Sequence, residues 1–507
     1  MKSMKRSRRD FLSTLAGLGA GAAAASVAAK LVVPRAVASP NGGRIRTISL
    51  EARETTWELA PGKTVKAMAY NGQVPGPEIR AREGERLRIV LKNSLQEPTT
   101  IHWHGVDVSN AMDGVPGVTQ KPVQPGETFV YEFEARPAGT RWCHTHFQEH
   151  RQMDMGLVAP LIIEPATPEP LAYDREATLV LDDWATGAGP ALPSTAAGTA
   201  GGRGSAGGMM SGRGMGDMMG GRGTGGMMRG MGRGAHEPAY DTMTINGKAY
   251  PATEPLRVRR AERLRLRIIN ASAEHTHVVR LAGHRLAVTH TDGNPLAVPV
   301  EVDALPIAPS ERYDVIVTAD RPGASSLSCL QPGHAAAGER MAVLYEGHER
   351  AEPVLPATDL AGLRLWEYGL GRGRNILRAP SGSTRTFTLT LSGGMMDSDA
   401  WTINGKIYPQ TEPLRLVKGE LARILFRNMS PEAHPMHLHG QSFRVVAFNG
   451  TRYTEPIVKD VVDVEAHMGS AVIEFTAHNP GDWFLHCHKP MHMEGGMISL
   501  VKVGEGR

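Results

Sequence analysis

Thr244-Ile245-Asn246-Gly247-Lys248-Ala249-Tyr250-Pro251 returns with one change as Thr402-Ile403-Asn404-Gly405-Lys406-Ile407-Tyr408-Pro409. The likeness runs on, through Thr253-Glu254-Pro255-Leu256-Arg257 to Asn270 in one copy and through Leu414-Arg415 to Asn428 in the other. A fainter copy starts at Tyr70-Asn71-Gly72-Gln73-Val74-Pro75-Gly76-Pro77 and continues through Gly84 to Asn93. Each copy joins an Asn-Gly turn signal and a proline to an alternating β-rich run, such as residues 264–268 or 421–426. Three copies predict three related β domains, expected at 45–166, 174–350 and 380–504. Short strands, close-set Gly/Pro/Asn turns and the absence of long helical periodicity predict an all-β chain of Greek-key sandwiches.

A chain of 507 residues has room for several domains at roughly 100–200 residues each. Three cysteines cannot make a disulfide framework. With 21% charged residues and no long uncharged apolar run beyond the N-terminus, a polytopic membrane protein is excluded. The pI of about 8.9 points at first to nucleic acid, but the placement of the charge removes that reading. Residues 1–38 hold seven basic groups and one acid, so the +4 of the whole chain becomes −2 for the remainder. Ser7-Arg8-Arg9-Asp10-Phe11-Leu12 resembles a twin-arginine export signal. A weakly apolar stretch, 11–33, follows it, and Ala36-Val37-Ala38 offers cleavage before Ser39. Gly17, Gly19 and Gly21 make that stretch a poor permanent span. The expectation is an exported, periplasmic protein, monomeric, without a stable membrane span or a nucleic-acid partner.

Residues 201–234 are mostly Gly, Met and Arg, with eight of the chain's 24 methionines and five arginines against one acid, Asp217. Such a composition cannot bury enough surface to offset its ordering entropy. Two readings stand: a solvated low-complexity insertion in the second domain, or capture of Cu(I) by soft thioethers.

Chemistry concentrates in four motifs: His102-Trp103-His104-Gly105, Cys143-His144-Thr145-His146, His434-Pro435-Met436-His437-Leu438-His439-Gly440, and the segment from His486-Cys487-His488 through His492 to Met497. They contain ten of the twenty histidines, a clustering that core packing does not produce. On a strand, side chains alternate, so His486 and His488 share one face while Cys487 points to the other. Cys487, His492 five residues on, Met497 ten on and His434 supply a thiolate, two imidazoles and a thioether, the donor set of an electron-transferring blue copper. His486 and His488 with His102, His104, His144, His146, His437 and His439 give eight further imidazoles and no carboxylate, which suits several copper ions.

On these motifs the sequence resembles the three-domain multicopper oxidases, the family of laccases and bacterial cuprous oxidases, over essentially the whole chain beyond the export signal. The resemblance implies three cupredoxin-like domains and four coppers. It assigns His434, Cys487, His492 and Met497 to type 1 copper and His102 and His437 to type 2 copper. His104, His144, His146, His439, His486 and His488 fall to the type 3 pair. It also implies one-electron oxidation of a reductant, relay through Cys487, and reduction of O2 to water. The Met-rich insertion favours Cu(I) as reductant and a role in copper tolerance; a general laccase acting on phenols, an Fe(II) oxidase or simple copper sequestration are the alternatives. Asp113, in Met112-Asp113-Gly114, resembles the family's acid beside type 2 copper and is expected to deliver protons. Where many members carry Glu directly after the second type 1 histidine, this chain has Met493, with Glu494 one residue later. Glu432 and Asp460 are candidates for contacting the reductant.

The other domains carry related spacings. Thr145 stands where the first domain would need a cysteine, with His150 five residues on and Met155 ten on. The second domain has His275, His277, Cys329, His334 five residues beyond it and Met341 twelve beyond. His275 precedes Cys329 by 54 residues, as His434 precedes Cys487 by 53. An extra type 1-like copper and an inert buried thiol both fit, and a Cys143–Cys329 disulfide is open in an oxidising compartment.

Overall fold

The Asn-Gly turns of the three repeats share one backbone. Asn71 and Gly72 (φ 55° and 75°), Asn246 and Gly247 (53° and 69°) and Asn404 and Gly405 (53° and 73°) all adopt positive φ at both positions, the conformation that Asn-Gly tolerates best. The computed structural model of the chain describes residues 44–187, 238–348, 351–374, 383–394 and 400–505, with the backbone of Val37–Ala38. The expected export signal, that two-residue strand aside, and the insertion 201–234 lie outside the described residues.

The described chain is almost entirely strand, arranged in six sheets that follow the repeat. In the larger sheets the strand preceding each repeat runs parallel to the one carrying its alternating pattern: Arg44–Ala60 beside Arg86–Asn93, Arg175–Trp184 beside Arg263–Asn270, Thr384–Gly393 beside Leu421–Asn428. The smaller sheets share one strand order. It reads Ile79–Arg82, Val158–Glu164, Gly139–His144, His102–His104 in the first. The second begins Leu256–Val258, Arg340–Tyr345, Ala324–Cys329, His277–Leu281. The third begins Leu414–Val417, Ile498–Gly504, Gly481–Cys487, His434–Leu438. The architecture is that of cupredoxin-like sandwiches. Apolar faces close each pair of sheets: Leu50, Ile89, Trp103 and Leu161 pack in one core. The cores of the second and third pairs merge, from Leu179 to Val503.

The asparagine that ends each repeat has a structural reason. Asn93, Asn270 and Asn428 are fully buried, and each donates its side-chain N–H to a carbonyl of the following loop, at Glu97 (2.8 Å), His275 (2.9 Å) and Glu432 (2.6 Å). A buried amide that satisfies loop carbonyls fixes the chain entering the histidine-bearing strand. Register then sets the histidines face to face: His102 lies opposite His144, and His437 opposite His486.

Gly114 is required where it stands. Its φ is +84°, and a Cβ there would meet Ile101 O at 1.9 Å. That close approach lets the Asp113 carbonyl accept from His102 Nδ1 at 2.9 Å. Gly114→Ala is expected to cost about 1–3 kcal/mol through strain and clash, read as a lower thermal unfolding midpoint; an unchanged midpoint contradicts this account.

Candidate metal centres

The strand Gly481–Cys487 places Cys487 on one side and His486 and His488 on the other, as alternation requires. On the first side, Cys487 Sγ lies 3.6 Å from His434 Nδ1 and 3.6 Å from His492 Nδ1, and the two nitrogens are 3.1 Å apart. The short helix Pro490–Glu494 carries His492, and Met497 returns to the strand by accepting the Cys487 N–H at 3.1 Å. All four side chains are buried. Ser430 Oγ holds His434 Nε2 at 2.7 Å, and Trp401 covers His492 with ring centroids 3.7 Å apart. Burial pushes the Cys487 thiol up, so a thiolate there needs a cation beside it.

Eight histidines converge on the other side, between the first and third pairs of sheets. His439 Nε2 and His486 Nε2 are 3.0 Å apart, and His144 Nε2 and His488 Nε2 are 3.3 Å apart. His102 stacks on His439 and His104 on His437, at 3.8 and 3.7 Å between centroids. In four of the rings Nδ1 is tied down by a backbone carbonyl. His102 Nδ1 donates to Asp113 O, His144 Nδ1 to Thr145 O (2.7 Å), His437 Nδ1 to Asp460 O (2.8 Å) and His486 Nδ1 to Cys487 O (2.8 Å). Left without a hydrogen-bond partner are His102 Nε2, His104 Nδ1, His146 Nε2, His437 Nε2 and His488 Nδ1, all buried. Orphaned buried nitrogens cost free energy unless something binds them. Burial, reinforced by neighbouring charge, holds His104, His144, His146, His437, His439 and His488 well below the ordinary histidine pKa. That keeps the rings neutral, the metal-binding form. Compact triads form, His102–His104–His144 and His146–His439–His486 among them, as does His434–Cys487–His492. The donor set fits copper at both centres.

Several acids sit elsewhere than the spacing suggests. Asp113 lies against two of the histidines: its Oδ2 is 2.8 Å from His439 Nδ1 and its Oδ1 is 3.3 Å from His102 Nδ1. Glu432 lies 3.3 Å from His492 Nε2. Burial would raise its carboxyl, but Lys489 at 3.0 Å and His492 hold it well below the usual range. Asp460, expected near the reductant, instead faces the eight-histidine centre, with Oδ1 3.0 Å from His104 Nε2. Both its oxygens are held by Arg312, at 2.5 and 2.6 Å. Glu494 pairs with His150 and reaches no histidine of the cluster. The carboxyl beside His146 belongs to Glu149, 3.0 Å from its Nδ1 and raised well above the ordinary value by burial and then by Glu494. Glu149 and Arg312 were missed; the only signal for Glu149 was its place three residues after His146, on the helical turn Glu149–Gln152.

The cysteine expectations are also settled in part. Cys143 and Cys329 are both free and buried, so they do not pair. Burial pushes the Cys143 thiol up to about 12, an inert core group. In the first domain Thr145 hydrogen-bonds Gln152 at 2.9 Å, and no thiolate stands at that position.

Three models of the multicopper oxidase family match residues 51–168, 221–348 and 382–507. The chain is 34% identical to multicopper oxidase MmcO of Mycobacterium tuberculosis, over 98% of this chain and 96% of that one. It is 28% identical to copper resistance protein A of Escherichia coli, over 99% and 100%. Among solved structures, a multi-copper oxidase from Pseudomonas thermotolerans superposes with a TM-score of 0.67 at 27% identity, over 91% of this chain and all of the other.

Proposed function

The chain belongs to the multicopper oxidase family, and on that premise we propose that it oxidises Cu(I), with O2 as the electron acceptor, in copper tolerance. Copper bound at the two centres supplies one-electron oxidation of the donor at one and reduction of O2 to water at the other. His434, Cys487, His492 and Met497 hold the type 1 ion, and His102 and His437 the type 2 ion. His104, His144 and His488 hold one member of the type 3 pair, and His146, His439 and His486 the other. The observation carrying this reading is the strand end 486–488. Cys487 lies in one centre while its covalent neighbours His486 and His488 lie in the other, and His486 Nδ1 also bonds the Cys487 carbonyl. A covalent path of a few bonds therefore joins donor side to O2 side.

The residues around the centres have separable tasks. Asp113 orients His439 and His102 and carries protons toward the O2 side. Asp460 orients His104 through its carboxylate and His437 through its carbonyl. Glu432 places a carboxylate at His492, suited to a cationic donor. Export through the twin-arginine route matches a protein whose ligands come from distant strands and are assembled only on folding. No helix among the described residues is long and apolar enough to cross a membrane.

Cu(I) is favoured because thioethers are soft ligands and 201–234 is rich in them, and because relatives bear copper-resistance names. O2 uptake by copper-loaded protein tests the oxidase reading with Cu(I), Fe(II) and a phenol in turn. The highest kcat/KM is expected with Cu(I), and absence of uptake with every donor refutes the proposal. Deleting 201–234 is expected to remove Cu(I) oxidation while phenol oxidation is kept or raised; equal loss of both contradicts capture by that segment.

A further inference from the structure

The second pair of sheets repeats the Cys487 centre bond for bond. Cys329 lies opposite Val279 and Cys487 opposite Met436. The histidine two residues before each partner is therefore His277 in one and His434 in the other. Five residues beyond each cysteine stands a histidine, His334 or His492; ten beyond stands Glu339 or Met497. The backbone around them matches: Cys329 N donates to Glu339 O (3.4 Å) as Cys487 N does to Met497 O (3.1 Å). Glu339 N likewise donates to His334 O (3.0 Å) as Met497 N does to His492 O (3.0 Å). A serine holds the outer nitrogen of the first histidine in both, Ser272 at His277 Nε2 and Ser430 at His434 Nε2, each at 2.7 Å.

This corrects the ligands that spacing alone suggested. His275 turns to Asp183, 2.7 Å from its Nδ1, and Met341 lies opposite Leu327, two residues before the cysteine. The four that converge are His277, Cys329, His334 and Glu339, with ligand atoms all within 4.8 Å of one another. Each is at most 1% exposed. Glu339 reaches both rings, 2.7 Å from His277 Nδ1 and 3.0 Å from His334 Nδ1. The Cys329 sulfur accepts backbone N–H groups from Val278 (3.2 Å) and Gln331 (3.4 Å), but burial and then Glu339 push its thiol up, so a thiolate there, as at Cys487, needs a cation beside it.

We propose that His277, Cys329, His334 and Glu339 bind a fifth copper as Cu(II), in a mononuclear site where a carboxylate replaces the thioether. Thiolate and carboxylate together neutralise a dication, whereas thiolate and thioether leave Cu(II) one positive charge in excess and Cu(I) none. The hard oxygen donor and that charge balance both favour Cu(II) over Cu(I). The Cys329 copper is thus harder to reduce than the Cys487 copper, and it stores or structures rather than relays. Between Cu(II) and Zn(II), a site of nitrogen, sulfur and oxygen donors binds copper more tightly.

The test counts copper and zinc per full-length chain after copper loading and removal of loosely held metal. It compares wild type, Cys329→Ser, Cys487→Ser and the double variant. Wild type should hold one copper more than Cys329→Ser, which keeps the Cys487 absorption and O2 uptake. Cys487→Ser should retain a thiolate-to-copper absorption that the double variant loses, a readout that leaves Cys329 intact and so is independent of how Cys329→Ser folds. Equal copper in wild type and Cys329→Ser, zinc as the additional ion, or a colourless copper-loaded Cys487→Ser would each overturn the proposal. The catalytic reading fails separately, through wild-type O2 uptake.

Discussion

Cys487→Ser should take donor oxidation to background and abolish the intense blue absorption of the type 1 centre, while the eight-histidine cluster keeps its copper. Cys487 is the only thiol within reach of His434 and His492. Its removal deletes both the ligand that gives the colour and the first atom of the path to His486 and His488. A hydroxyl is a poor copper ligand and is not ionised at neutral pH, so no partial rescue is expected. The thermal midpoint of copper-free protein should move little, since serine occupies slightly less volume at a buried site. Optical spectroscopy, copper counting and O2 uptake check the three parts; residual oxidation near the wild-type rate refutes the relay through Cys487.

Asp460→Ala should act by a different route and lose both stability and cluster copper. Asp460 belongs to a buried group of three acids and three bases, with Asp292 and Glu311 facing Arg141, Arg312 and Lys459. Removing one acid leaves an uncompensated positive charge in a dry interior, a loss of about 3–5 kcal/mol. His104 also loses the partner that orients it, which lowers metal affinity by about 10–100-fold. Asp460→Asn keeps the shape and should lose less stability while still weakening copper binding. Thermal unfolding with and without copper, together with copper titration, separates the two effects. A variant as stable as wild type that binds copper equally well contradicts the assignment.

Much of this is legible in the sequence. The repeat at residues 244–251 and 402–409 stood for a turn and a strand, and the structure supplies that turn with positive φ at both Asn and Gly each time. The four histidine motifs were legible because strand alternation is local: residues two apart share a face whatever packs against it. The identities of the ten clustered histidines, Cys487 and Met497 followed from that rule and from spacing. What spacing could not supply was the partner of each imidazole. His104 and Asp460 lie 356 residues apart, and Glu149 meets His146 through a helical turn four residues long. In the second domain, counting back from the cysteine pointed to His275, and the ladder showed His277. Counting forward pointed to Met341, and the backbone bond from Cys329 showed Glu339.

Sequence therefore established the repeat, the all-β class and the residues able to hold copper, because turns and strand faces depend on neighbours within a few residues. Packing established which carboxylate orients which ring, which acid lies beside His146, and which four side chains of the second domain meet. Those choices depend on sheet register and on how separate sheets close against one another, and no local period along the chain encodes them.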